Sequence, residues 1–254
     1  MKAAFCLSGL SRSIPVTYSP IKKYFLDPYN CDVFFKTWSN TDNGEEDFSP
    51  IKAVELYRPA AWEIEYFDQS AFEGRAELNF FGAEHAAHLE KIQVNRRYRV
   101  LSMWYNVMRC YEIAEAHVKS KGIRYDLIFR GRPDGTYFTR FDFNNAEPKT
   151  LYIISSSFND GFAAGTPDVM REFSYLYLDL LDQYSYRYYD LKPELVWCPH
   201  TLLNWHLEDL ESKGIKVVKL KDNIRVGKIW SFPTIKLEDN IWDMVKFYEE
   251  HSKL

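Results

Sequence analysis

Tyr125-Asp126-Leu127-Ile128-Phe129-Arg130-Gly131-Arg132-Pro133-Asp134-Gly135 is the stretch on which the fold turns. A short apolar run passes directly into two arginines, a proline and an aspartate. A buried strand that ends in charge delivers that charge to the carboxyl edge of a sheet, where open α/β folds bind their ligands. Arginine's planar fork of donors suits phosphate. An aspartate two residues on can hold a divalent cation or a sugar hydroxyl. Pro-Asp-Gly is also strong turn chemistry, so the same residues equally describe a strand end closed by a salt-bridged turn.

Upstream, Lys2 to Leu7 is a first apolar strand that ends in Ser8-Gly9-Leu10-Ser11-Arg12. Ser19-Pro20 has the chemistry of a helix start, and Cys31 to Thr37 forms a second strand. Ser39 to Asp47 is a polar loop, and Ser49-Pro50 opens another helix. Trp62 to Tyr66 alternates as a strand does, and Ala83 to Val94 is helical. The clearest helix runs from Leu101 to Lys121, its apolar residues recurring with a period of about 3.6 before Gly122 as C-cap.

Downstream, Leu151 to Ser155 and Phe162 to Gly165 are short strands. Thr166-Pro167 caps a helix through Gln183, and a further helix spans Thr201 to Lys213. Ile215 to Leu220 is a last strand and Glu238 to His251 a last helix. This alternation predicts an α/β fold. The expected form is a three-layer α/β/α sandwich with a mostly parallel, Rossmann-like sheet, a single domain over residues 1–254.

Apolar residues at 46% and charged residues at 27% describe an ordinary globular chain, not a disordered one. A net charge of -4 argues against broad binding to nucleic acid or anionic membrane, so any phosphate recognition is local. Cys6, Cys31, Cys110 and Cys198 lie far apart with no CxxC pair, as expected of reduced thiols in the cytoplasm. No apolar run approaches the ~20 residues that span a bilayer. The expectation is a soluble, cytoplasmic protein without a transmembrane segment.

Four constellations carry possible chemistry. Ser8-Gly9-Leu10-Ser11-Arg12 has small residues that admit an anion to backbone N–H groups, with Arg12 adding charge, although a tight turn needing Gly9 explains it too. Arg130, Arg132 and Asp134 share a sheet edge with that loop if the two strands run parallel. Asp160, in Asn159-Asp160-Gly161, is either a carboxylate able to deprotonate a hydroxyl or an Asx-turn. Glu194, in Lys192-Pro193-Glu194, is either a sugar ligand or a charge at the following helix's N-terminus. His85 and His88 share a helical face but lack a third ligand, and no Walker loop, GxGxxG or GxSxG occurs.

Taken in order, Leu-Ser-Gly-x-x-Arg (Leu7 to Arg12), Cys-Asp-Val-Phe-Phe-Lys-Thr-Trp (Cys31 to Trp38), Tyr-Asp-Leu-Ile-Phe-Arg-x-Arg-Pro-Asp (Tyr125 to Asp134) and Asn-Asp-Gly-Phe-Ala-x-Gly (Asn159 to Gly165) resemble small glycosyltransferases. The resemblance is to those of viral and bacterial surface-polysaccharide clusters, which have a GT-A-type nucleotide-sugar fold. It implies transfer of a sugar from a nucleoside-diphosphate donor of UDP or GDP type to a hydroxyl of a glycan acceptor. Such enzymes commonly bind the donor through a divalent cation, Mn²⁺ or Mg²⁺, held by Asp-x-Asp. This chain has no Asp-x-Asp, so Asp134 is the one carboxylate carried over as a metal ligand, and Arg130 or Arg132 takes part of the cation's role.

On that resemblance Ser8, Gly9 and Arg12 contact the nucleotide, and Trp38 stacks on base or sugar. Arg130, Arg132 and Asp134 hold the diphosphate-sugar. Asp160 is the acceptor base if the enzyme inverts, with Glu194 second. Two rivals stand beside it: a sulfotransferase, which the missing lysine-bearing phosphate loop disfavours, and a nucleotide- or carbohydrate-binding module without turnover.

Overall fold

The computed structural model describes residues 1–11, 14–40, 49–72, 97–135, 137, 142–154, 159–182 and 199–220. Its strands are β1 (Ala3–Ser8), β2 (Asp32–Trp38), β3 (Ala61–Glu65), β4 (Leu127–Gly131), β5 (Thr150–Ile154), β6 (Phe162–Gly165) and β7 (Lys216–Leu220). They form one seven-stranded sheet in the order β3-β2-β1-β4-β6-β5-β7. β1, β2, β3 and β4 pair in parallel, as do β5 and β7, while β6 runs antiparallel to both of its neighbours. The expected α/β sandwich with a largely parallel sheet is therefore present, with one reversed strand that the sequence pattern did not announce.

Helices cover both faces. Period-two alternation sends Ala3, Phe5, Leu7, Phe35, Phe129 and Phe162 to one core. There they meet α1 (Ile14–Ile21), its continuation through a π-helical turn (Lys22–Leu26) and α2 (Asp27–Tyr29), and α3 (Pro50–Tyr57). The alternate set, Ala4, Cys6, Phe34, Ile128, Leu151 and Ala163, faces the opposite core. That core is roofed by α4 (Arg97–Lys121), α5 (Pro167–Ser174), α6 (Leu176–Asp182) and α7 (Pro199–Ser212).

Two helix boundaries differ from expectation. The first helix starts at Ile14 and contains Pro20, instead of starting at Ser19-Pro20. Pro15 already provides the fixed φ that suits a first helical turn. Pro20 then interrupts the hydrogen-bond ladder, because it lacks an N–H and its ring crowds the preceding turn. The wider π-helical turn follows directly. The helix expected from Thr166-Pro167 to Gln183 is two helices, α5 and α6, divided at Tyr175. Tyr175 accepts the Leu178 N–H at 2.9 Å, which starts the second helix on a new axis.

The remaining strands and helices fall within a few residues of their expected bounds. The polar loop over 41–47, the helix expected over Ala83 to Val94 and the one over Glu238 to His251 lie outside the described residues. Among the described residues no helix is long and apolar enough to cross a membrane.

Candidate functional site

β1 and β4 are adjacent and parallel, so the turns after Ser8 and after Gly131 leave the sheet at the same edge. Gly9 has φ +132°, a backbone state that side-chain-bearing residues rarely adopt, and a Cβ there would lie 3.4 Å from Pro133 Cδ. The two turns are thus in direct contact. The Gly9 N–H donates to the Lys36 carbonyl at 3.2 Å, which ties the β1 turn to β2 as well. Gly131 has no room for a side chain: its Cβ would sit 2.6 Å from Phe5 Cε1 and 2.8 Å from the Tyr137 hydroxyl oxygen.

Beyond Gly131 the chain folds into a turn closed by the Gly135 N–H on the Arg132 carbonyl at 3.0 Å. The Thr17 hydroxyl of α1 donates to the Pro133 carbonyl and anchors that turn from below. Because β6 is reversed, its start reaches the edge where β4 ends, with Phe162 opposite Gly131. Asp160 is thereby delivered to the arginine turn. The Tyr137 hydroxyl bridges the two turns by donating to the Gly161 carbonyl at 3.3 Å.

The charges form one cluster. Arg132 is paired in bidentate fashion with Asp134, Nε to Oδ1 at 2.7 Å and Nη2 to Oδ2 at 2.9 Å. Its Nη1 donates to Asp160 Oδ2 at 3.3 Å, and His200 Nδ1 at the start of α7 lies 3.9 Å from Asp160 Oδ1. Asp134 and Asp160 are both buried. Asp134 above all holds the Arg132 guanidinium well above its ordinary pKa, with Asp160 adding to the effect. The salt-bridged turn is therefore present, and it lies at the carboxyl edge of the parallel strands β1 and β4.

Arg130 behaves differently. It is 1% exposed, and none of its Nε, Nη1 or Nη2 atoms has a hydrogen-bond partner. Burial lowers its pKa to about 10, against the opposing pull of Asp160 and, more weakly, Asp134. A buried guanidinium without hydrogen bonds is costly and needs a reason. Ser8 is buried one strand away, and its hydroxyl also lacks a partner, as does Asn106 Oδ1 on α4.

Lys36 is the charged residue that sequence inspection passed over. It is fully buried, adjacent to Ser8 in register, with Nζ 3.5 Å from Glu63 Oε1 and 3.3 Å from Glu65 Oε2. Burial lowers its pKa although both glutamates oppose the shift. A lysine set inside the apolar run Val33-Phe34-Phe35-Lys36-Thr37-Trp38 was the available signal. Trp38 is only 5% exposed: it lies parallel to Tyr105 with centroids 5.8 Å apart and has Lys36 Nζ 4.4 Å from its own centroid. The structure places it in a packed aromatic wall with Phe67 and Phe72. Arg12 and Glu194 lie outside the described residues.

The carboxylates do not suit a divalent cation as they stand. Both oxygens of Asp134 are engaged by Arg132, and Asp160 leans on the same guanidinium. Among the described residues no three His, Cys, Asp or Glu side chains gather as a ligand set. A cation at Asp134 has to share that carboxylate with the Arg132 guanidinium.

No protein-family model and no curated protein sequence matches the chain. Among solved structures it is similar to mouse xyloside xylosyltransferase 1 in its apo form, with a TM-score of 0.44 and 14% identity over 87% of this chain and 85% of that one. A likeness this distant carries no residue roles across.

Proposed function

We propose that the chain is a glycosyltransferase that moves a sugar from a nucleoside-diphosphate donor of UDP or GDP type to a hydroxyl of a glycan acceptor. The observation that supports it best is the Arg132–Asp134–Asp160 cluster at the carboxyl edge of the parallel strands, packed against the Gly9 turn. Arg132, fixed by Asp134, donates to the phosphates, and Ser8 adds a hydroxyl from the neighbouring turn. Asp160 takes the proton of the acceptor hydroxyl, whose oxygen bonds to the anomeric carbon as the bond from that carbon to the diphosphate breaks. The nucleoside diphosphate leaves with the electron pair. Glu194 is the second candidate for the base. Arg12 joins the phosphate contacts. The free thiols Cys6, Cys31 and Cys110 accord with a cytoplasmic setting.

The test is a thermal-shift panel of uridine, guanosine, cytidine and adenosine nucleotides, followed by assay of diphosphate release from the matching sugar donors. A ligand at about 100 times its Kd stabilises the fold by about 2.7 kcal/mol. Selective stabilisation by one nucleoside diphosphate, with release that Asp160→Asn abolishes, supports the assignment. Preference for an adenosine bisphosphate returns the sulfotransferase. Binding without release from any donor and acceptor leaves a binding module.

A further inference from the structure

We infer that the donor's diphosphate binds at this edge without a divalent cation, Arg132 and Arg130 standing in its place; this rests on the glycosyltransferase assignment above. The carboxylates that a dication would use are already matched by a fixed cation: Arg132 pairs with both Asp134 and Asp160, and the charge of Arg130 is held in their field. Bringing in Mn²⁺ means drawing the charge of Asp134 away from the bidentate Arg132 pair and placing a dication beside that guanidinium. It also sets two further positive charges beside Arg130, which has no hydrogen-bond acceptor of its own.

A phosphate requires no such exchange. Arg132 has five N–H donors, of which the bonds to Asp134 and Asp160 use three among the described residues. Its side chain keeps 22% of its surface exposed, where Asp134 and Asp160 are nearly closed off. Arg130 sits behind, one residue inside the strand, as a cation held in low dielectric where its field carries far. The chemistry sharpens the arrangement. When Asp160 accepts the acceptor's proton, the cluster changes from balanced to net positive as the diphosphate leaves with added negative charge.

The experiment titrates wild-type protein with uridine diphosphate, guanosine diphosphate and inorganic pyrophosphate, each in EDTA and in Mn²⁺, by calorimetry. The expected result is diphosphate affinity in EDTA that Mn²⁺ changes by no more than about twofold, well inside one decade of Kd. Arg132→Met is expected to lose about ten- to a hundredfold in affinity, the weight of one or two charge-assisted hydrogen bonds. Arg130→Met, which removes no hydrogen bond, is expected to weaken binding while leaving the ligand-free Tm unchanged or higher. Affinity that appears only with Mn²⁺ overturns the inference and leaves the transferase assignment intact. Absence of diphosphate binding in both conditions overturns the two together. If either variant fails to fold, the wild-type comparison between EDTA and Mn²⁺ decides alone.

Discussion

The two faces of the sheet differ in where the buried charges of the strands lie. Under α1 and α3 the core is half aromatic: Phe25 touches Phe5, Phe129, Tyr137 and Phe162 with centroids 5.0–5.4 Å apart. Under α4 the sheet carries Lys36 and Arg130 among its apolar residues, along with the partnerless polar atoms of Ser8, Asn106 and Trp104. Aromatic packing gains free energy from every contact, whereas buried charge costs it unless something answers the charge. The strands' buried charges, and their cost to stability, therefore lie on the α4 face.

The largest effect is expected where that division is tested from the stable side. Phe25→Ala should cost about 3–5 kcal/mol by denaturant unfolding while the folded fraction keeps its diphosphate affinity. If binding falls in step with stability, the faces are not separate. From the other side, Arg132→Ala should lower the rate of sugar transfer about 100- to 1,000-fold, as loss of a preorganised charge donor does, with a smaller change in Tm. Gly131→Ala sits on the boundary. Its Cβ would stand 2.6 Å from Phe5 Cε1, so it should cost about 1–3 kcal/mol through overpacking and displace the arginine turn as well. A Gly131→Ala protein with full activity and stability would show that the sheet edge yields freely.

The smallest effect concerns pH. Burial lowers the pKa of Lys36 below 10.5, so between the lowered value and 10.5 the unfolded chain binds a proton that the folded chain does not. The stability contributed by Lys36 therefore rises with pH across that window and is lost as pH falls through it. Urea melts of wild type and Lys36→Met from neutral pH to about 10.5 should show the wild type gaining on the variant as pH rises. A constant difference would mean that Glu63 and Glu65, with Arg109 behind them, hold the lysine charged throughout.

The apolar runs at Ala3–Ser8, Asp32–Trp38, Leu127–Gly131 and Phe162–Gly165 were legible because alternating burial demands such runs. Their parallel order then placed Ser8, Gly9 and Arg132 at one edge. Three things were not legible. The reversal of β6 is a property of pairing, and a four-residue strand gives no sign of its direction. The mutual capture of Arg132 and Asp134 depends on turn geometry that i, i+2 spacing leaves open. Trp38 looked available because aromatics serve cores and ligand ledges alike, and only the packing of Tyr105, Phe67 and Phe72 decides between them. Lys36 was visible but unread, since one charge in a strand is usually assigned to its solvent face.

The reversed β6 has a consequence for how such a protein can be altered. Arg130 and Arg132 leave the sheet on one connection and Asp160 enters it on another, and the two meet across a single register pair, Gly131 with Phe162. The segment that brings the acid can therefore be lengthened, exchanged or grafted from another chain while the arginine turn keeps its anchors on Thr17 and Gly9. The acid and the arginines thus come from separate connections, and a library confined to the one before β6 reaches the arginine turn only through the Arg132–Asp160 pair and the Tyr137–Gly161 hydrogen bond.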